Sequence, residues 1–184
     1  MSPFHAPKAR VGQFKENSDM RTTSIVSTVG AVLIAAAVAT HIAVHAQQVR
    51  MQAPVDKAAD FPLSDLQATY KEMDAKKLLT MRLVEGGKYN VNIRRLTGAE
   101  RPLAHPKTAD VWVVTEGSGT LVTGGELVDG TRSANGDLSG ASIRGGIERV
   151  IKPGDVVFIP AGLSHGVKDT SGITWLNIRF DTKE

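Results

Sequence analysis

The 184 residues suit one domain with extensions rather than two full domains, and 41% hydrophobic with 22% charged residues excludes a chain disordered throughout. The absence of cysteine excludes a disulfide framework, a thiolate zinc site and a cysteine nucleophile. Residues 1–46 hold four basic and two acidic side chains and the remainder 18 and 17, with no block of five like charges, so nucleic acid is excluded as a partner.

Residues 1–19 are polar and patternless, and translation is expected to begin at Met20. From Ile25 to Val44 the chain is apolar, with no acidic or basic residue except His41. Arg21 precedes this run, and the small residues Val44 and Ala46 follow at the two positions a signal peptidase reads. These features predict a leader over 1–46, cleavage after Ala46, and a periplasmic or secreted protein. The alternative is an uncleaved N-terminal anchor, the only membrane contact expected. Against it, the run is alanine-rich and interrupted by Ser and Thr, weakly apolar for a stable span.

Residues 47–63, with Pro54 and Pro62, read as a linker. Ser64-Asp65-Leu66-Gln67 has the Ser-x-x-Gln spacing of a capping box, predicting a helix over 64–78 with Leu66, Tyr70 and Met73 on one face. From residue 79 the period changes to two. Strands are expected over 79–85, 88–96, 110–116, 119–124, 147–151, 155–161 and 173–180, many separated by Gly-containing turns. Many short strands with Gly and Pro turns indicate an all-β sandwich or barrel, and no βαβ alternation supports a dinucleotide fold. The segment 124–148 holds seven glycines; its ends read as strand extensions and its middle, 130–140, as a mobile loop, the kind that is a lid, a binding loop or simply disordered.

The sharpest pattern is Gly154-Asp-Val-Val-Phe-Ile-Pro160-Ala-Gly162-Leu-Ser-His165. Pro153-Gly154 turns the chain into a strand, Pro160 and Gly162 bend it at a rim, and His165 then points inward. This run resembles the second cupin motif, G-x5-P-x-G-x2-H, at every fixed position. A degraded first motif precedes it: His105 matches the second histidine, Asp110 falls where the family has glutamate, Gly117 follows after six residues, and Leu103 takes the place of the first histidine. The resemblance covers roughly 79–182. It implies a cupin jelly-roll β-barrel (double-stranded β-helix) with one short N-terminal helix, and a homodimer.

The resemblance further implies a metal site. Where cupins offer three histidines and a glutamate, this chain offers His105, Asp110 and His165, a set chemically adequate for Fe(II), Mn(II), Zn(II) or Ni(II). Each also has a plainer reading: His165 as a hydrogen-bonding rim residue, His105 as an exposed loop histidine, Asp110 as a turn cap. If Asp110 faces inward, strand parity takes Trp112 and Val114 with it. Trp175, Asn177 and Arg179 share a face that borders either the cavity or solvent, and Trp112 and Trp175 are the pocket candidates. Arg94 and Arg95 point oppositely; one could hold a substrate carboxylate, although a surface role is the commoner one for arginine. No phosphate loop, Ser-His-Asp set or nucleophile elbow is present. Two functions follow: a divalent-metal enzyme on a small oxygenated molecule (dioxygenase, isomerase or lyase), or a non-catalytic cupin that binds a small ligand.

Overall fold

Alternating apolar residues bury one side of a pleated ribbon, so the period-two stretches become strands. The computed structural model describes residues 48–182. The leader expected over 1–46 lies outside them. The described chain enters on β1 (Val49–Gln52), which pairs in parallel with β2 (Thr80–Glu85). This corrects the linker expected over 47–63: its start is an edge strand, mostly exposed and hence without an apolar rhythm.

Helix α1 (Leu63–Lys76) follows. The capping box expected from Ser64 does not form. The helix begins one residue earlier, on Pro62, whose carbonyl accepts from the Asp65 and Leu66 amides, and no side chain caps it. Proline has no amide hydrogen to satisfy and cannot continue a helix backwards, so it sets the start without a side-chain cap. Leu66, Tyr70 and Met73 form the buried face, as their spacing predicts, and pack on Met81, Leu83 and Ile93.

The remaining strands are β3 (Tyr89–Leu96), β4 (Leu103–Ala104), β5 (Thr108–Glu116), β6 (Gly119–Thr123), β7 (Glu126–Val128), β8 (Thr131–Arg132), β9 (Leu138–Ser139), β10 (Ser142–Arg144), β11 (Ile147–Ile151), β12 (Val156–Ile159), β13 (His165–Lys168) and β14 (Ile173–Asp181). They build one sheet in the order β1-β2-β3-β14-β5-β12, a second in the order β11-β6-β13-β4-β9-β8, and a separate β7–β10 pair. From β3 onward the chain crosses between the sheets repeatedly: β4 lies in the second, β5 in the first, β6 in the second, β12 in the first, β13 in the second and β14 in the first. This winding is the double-stranded β-helix of the expected all-β class. The sheets face one another rather than closing into a single hydrogen-bonded ring.

One core cluster lies between the sheets, drawing Trp112 and Val114 from β5, Leu121 from β6, Val157 and Ile159 from β12, and Val167 from β13. The second lies under α1, on the outer side of the first sheet. The ends of 124–148 pair as strands, β7 with β10, as expected. Its middle, expected as a mobile loop, is instead paired, β8 with β9, and closed by a tight turn in which Gly136 N–H donates to the Ser133 carbonyl at 2.9 Å. Among the described residues no helix is long and apolar enough to cross a membrane.

Candidate metal centre

The site forms where two sheet crossings meet at one end of the domain. His105 sits between β4 and β5, and His165 opens β13 after the β12 turn. Gly162, at φ +84° where a residue with a Cβ would be strained, donates its amide to the His105 carbonyl at 2.7 Å. That bond ties the two crossings together. Asp110 stands on β5, in register with Ile159 on one side and Arg179 on the other.

His105, Asp110 and His165 are all buried, and one ligand atom from each lies within 4.8 Å of the others. Asp110 Oδ2 is 3.5 Å from His165 Nε2 and 4.0 Å from His105 Nε2, so the shorter aspartate reaches the site. Two donors each about 2.1 Å from one ion stand no more than about 4.2 Å apart, and both Asp–His separations satisfy this.

Hydrogen bonds on the far side of each ring orient the lone pairs. His165 Nδ1 lies 2.9 Å from the Leu163 carbonyl, which only accepts, so Nδ1 carries the proton and Nε2 is free. His105 Nδ1 lies 2.9 Å from Asp137 Oδ1, with the same consequence. Asp137 stands in the turn before β9, and Asn135 Nδ2 donates to its other oxygen at 3.1 Å. On Asp110, Oδ1 accepts from Arg179 Nε at 2.8 Å, which leaves Oδ2 free. Two imidazole lone pairs and a carboxylate oxygen therefore converge, and neither His105 Nε2 nor Asp110 Oδ2 has a hydrogen-bond partner. Buried acceptors facing one another without a donor are costly, and a cation between them removes the cost. The donor set fits a divalent transition ion.

Protonation favours the same state. Burial, aided by the Arg179 charge, holds His105 below the usual histidine range despite the opposing pull of Asp110 and Asp137. Burial raises the Asp110 carboxyl, but His165, Arg179 and His105 together outweigh it and leave Asp110 below its usual value.

The inner face of the first sheet continues the site as a row of polar side chains. Cross-strand register places Thr80 beside Arg94, Arg94 beside Trp175, and Trp175 beside Val114; one step along lie Arg82, Asn92, Asn177 and Trp112. This answers the choice parity left open. Trp175, Asn177 and Arg179 border a cavity of about 160 Å³ together with Trp112, His165 and Leu103. Trp112 stands edge-on to His165 at 5.6 Å between centroids and stacks on Trp175 at 4.7 Å. Arg94 lies inward, bonded to Thr80 and paired with Glu100, whereas Arg95 points out to Asp74 and Glu116. A second cavity of about 430 Å³ opens beyond Arg179 and is lined by His105 and Asp137.

Sequence reasoning missed Asp137, Arg82 and Arg101, and left open which way Arg94 and Arg179 face. Asn135-Gly136 just before Asp137 is a hairpin-turn pair that could have marked the segment as structured. Nothing in the local sequence separates Arg94 from Arg95.

No family model matches the chain, and no curated protein matches it. Solved structures do. The BH2720 protein of Bacillus halodurans is similar at 16% identity and a TM-score of 0.48, over 71% of this chain and 85% of that one. A Klebsiella pneumoniae protein with a double-stranded β-helix domain is similar at 17% identity and a TM-score of 0.40, over 54% and 73%. A predicted oxalate decarboxylase from Thermotoga maritima is similar at 15% identity and a TM-score of 0.35, over 59% and 73%. By its own strand order, by its repeated sheet crossings and by the 154–165 turn that delivers His165, the described domain has the cupin-type double-stranded β-helix fold.

Proposed function

We propose that this is an exported metal-dependent enzyme that holds one divalent transition ion on His105, Asp110 and His165 and acts on a small oxygenated molecule, by dioxygenase, isomerase or lyase chemistry. One observation carries the reading: two imidazole nitrogens and a carboxylate oxygen on buried residues converge within 4.8 Å, and two of them, His105 Nε2 and Asp110 Oδ2, have no hydrogen-bond partner. Two imidazoles and one carboxylate suit Fe(II), Mn(II), Zn(II) or Ni(II) and leave coordination positions over for water and substrate. Such an ion supplies Lewis acidity toward a carbonyl oxygen. The chain's own residues hold and orient: Leu163 and Asp137 fix the imidazole tautomers, Arg179 fixes the carboxylate, and Trp112 and Trp175 wall the adjoining cavity.

Leu103 supports a second reading, non-catalytic binding of a small ligand. It pairs directly with His165 across β4 and β13 and offers no donor where cupins place another histidine. Metal analysis of the full chain produced without a tag separates the two. About one transition ion per chain, lost in His165→Ala with the fold retained, supports the enzyme; metal-free protein that takes up none on exposure favours the binding module.

Export is supported by the apolar run and small-residue exit over 25–46. The mass of the mature protein tests it, with cleavage expected after Ala46 and an intact N-terminus overturning it. A homodimer is supported by Val156 and Phe158, exposed on β12 at the edge of the first sheet. Sedimentation equilibrium at micromolar concentration is expected to give twice the chain mass, and a monomer overturns it.

A further inference from the structure

We infer that the inner cavity receives a short-chain oxygenated carboxylate, two to four carbons long, held by Arg94 and Arg179 beside the ion site; this rests on the metal-centre reading above. The wall is rich in guanidinium groups. Arg82, Arg94, Arg101 and Arg179 line it, with Arg94 paired to Glu100 and Arg179 to Asp110. Arg82 is turned to Glu85 and Asn92, and Arg101 reaches only the Gly140 carbonyl, at 3.4 Å. Three further polar groups on lining residues are buried without partners: the indole N–H donors of Trp112 and Trp175 and the acceptor Oδ1 of Asn177. Buried polar groups normally find partners, so two indole donors against one amide acceptor favour an occupant with more acceptor oxygens than donors.

Charge points the same way. Arg94 and Arg179 lie close enough to repel; burial and the Arg179 charge together lower Arg94 to about 10. An anion between them relieves the crowding, and a guanidinium matches the planar geometry of a carboxylate through two parallel hydrogen bonds. Size sets the limit. A cavity near 150 Å³ accommodates a molecule of benzene's size, so about 160 Å³ suits a group of roughly six heavy atoms. Because His165 lines the cavity and Arg179 grips Asp110, a carboxylate held there has its remaining oxygens facing the ion site.

The chain's two tryptophans both line the cavity, which makes intrinsic fluorescence a direct reporter. The full chain, metal-free and loaded with Zn(II) or Mn(II), is titrated with malonate, with 2-oxobutanoate, with its methyl ester and with inorganic phosphate. Saturable fluorescence changes are expected with both carboxylates, with affinity at least about tenfold weaker for the ester, the usual loss when a charge-assisted hydrogen bond is removed. Arg94→Gln is expected to weaken malonate by at least tenfold and Glu100→Gln to tighten it. Since Arg94→Gln could unfold the domain, Glu100→Gln and the ester comparison on the unaltered protein stand independently of it. Binding of the ester as tight as the acid, phosphate binding tighter than either carboxylate, or no carboxylate response in protein that does bind metal overturns the assignment and leaves the metal centre standing. Carboxylate binding by protein that takes up no metal supports the cavity assignment and removes the metal centre.

Discussion

Asp137→Asn tests whether the turn before β9 tunes the metal centre. Asp137 Oδ1 is 2.9 Å from His105 Nδ1, and its side chain is 33% exposed. Removing the carboxylate behind a ligating histidine typically costs about 10- to 100-fold in metal affinity. Solvent reaches Asp137, so its charge is partly screened and the lower end applies: about tenfold, or roughly 1.4 kcal/mol. Asparagine keeps an acceptor oxygen, so Asp137→Ala is expected to lose more than Asp137→Asn. Competition of protein against a chromophoric chelator for Co(II) reads the affinity directly. The exposed turn lies outside both core clusters, so unfolding free energy in urea is expected to change by no more than about 0.5 kcal/mol. Unchanged Co(II) affinity in Asp137→Ala, with the fold intact, refutes the reasoning, because it means the ring is oriented without its partner.

Leu103 faces the same side as its cross-strand neighbour His165, so Leu103→His supplies a fourth imidazole and is expected to tighten Zn(II) binding at least about tenfold in the same competition assay. Met73 is fully buried between α1 and the first sheet, and Met73→Ala is expected to cost about 2–5 kcal/mol in urea unfolding without altering metal stoichiometry. Arg179→Gln removes the charge-assisted hydrogen bond to the buried Asp110 carboxylate and leaves only His165 and His105 beside it, so metal-free protein is expected to lose about 1–3 kcal/mol. Saturating Zn(II) is then expected to raise Tm more in this variant than in the unaltered protein. For pH, the folded state holds both His105 and Asp110 below their usual values, so the unfolded chain binds the extra protons at both. Stability of metal-free protein is expected to fall as pH drops below about 6.5, and again below about 3.9, where the stability contributed by ionised Asp110 is lost. Urea midpoints across pH check this, with His105→Gln expected to flatten the upper window; stability rising between pH 6.5 and 5.5 contradicts it.

Strands buried on one face were readable from alternation, and β2, β3, β5, β6, β11, β12 and β14 lie where period two places them, to within two residues at each end. Elements too short to complete a period were not. β4 and β8 to β10 have two or three residues each, and pairing partners rather than local pattern define them. β13 was hidden because Gly166 interrupts its apolar alternation, and β1 because it is mostly exposed. The site divides along the same line. His105, Asp110 and His165 stand at spacings that belong to a motif. Asp137 reaches His105 from 32 positions away through a turn whose residues look like any polar loop. The facing of Arg94 depends on the register of β3 with β14, which no window of sequence contains.

The two departures from the cupin pattern make physical sense together. With Leu103 in place of a histidine, the protein contributes three donors rather than four, and Asp110 contributes one free oxygen because Arg179 occupies the other. A divalent ion on two neutral imidazoles and one carboxylate keeps a net positive charge, and Arg179 adds a second positive charge within hydrogen-bonding distance of that carboxylate. The neighbouring wall is rich in guanidinium and indole N–H donors, with Glu100 and the Asn177 side-chain oxygen as acceptors and an apolar leucine beside them. An anionic ligand with several oxygens satisfies the ion and the donors at once, which a neutral ligand of the same size does for the ion alone. On the proposed reading the missing histidine and the inward arginines belong together, since a ligand would then supply both the open coordination positions and negative charge.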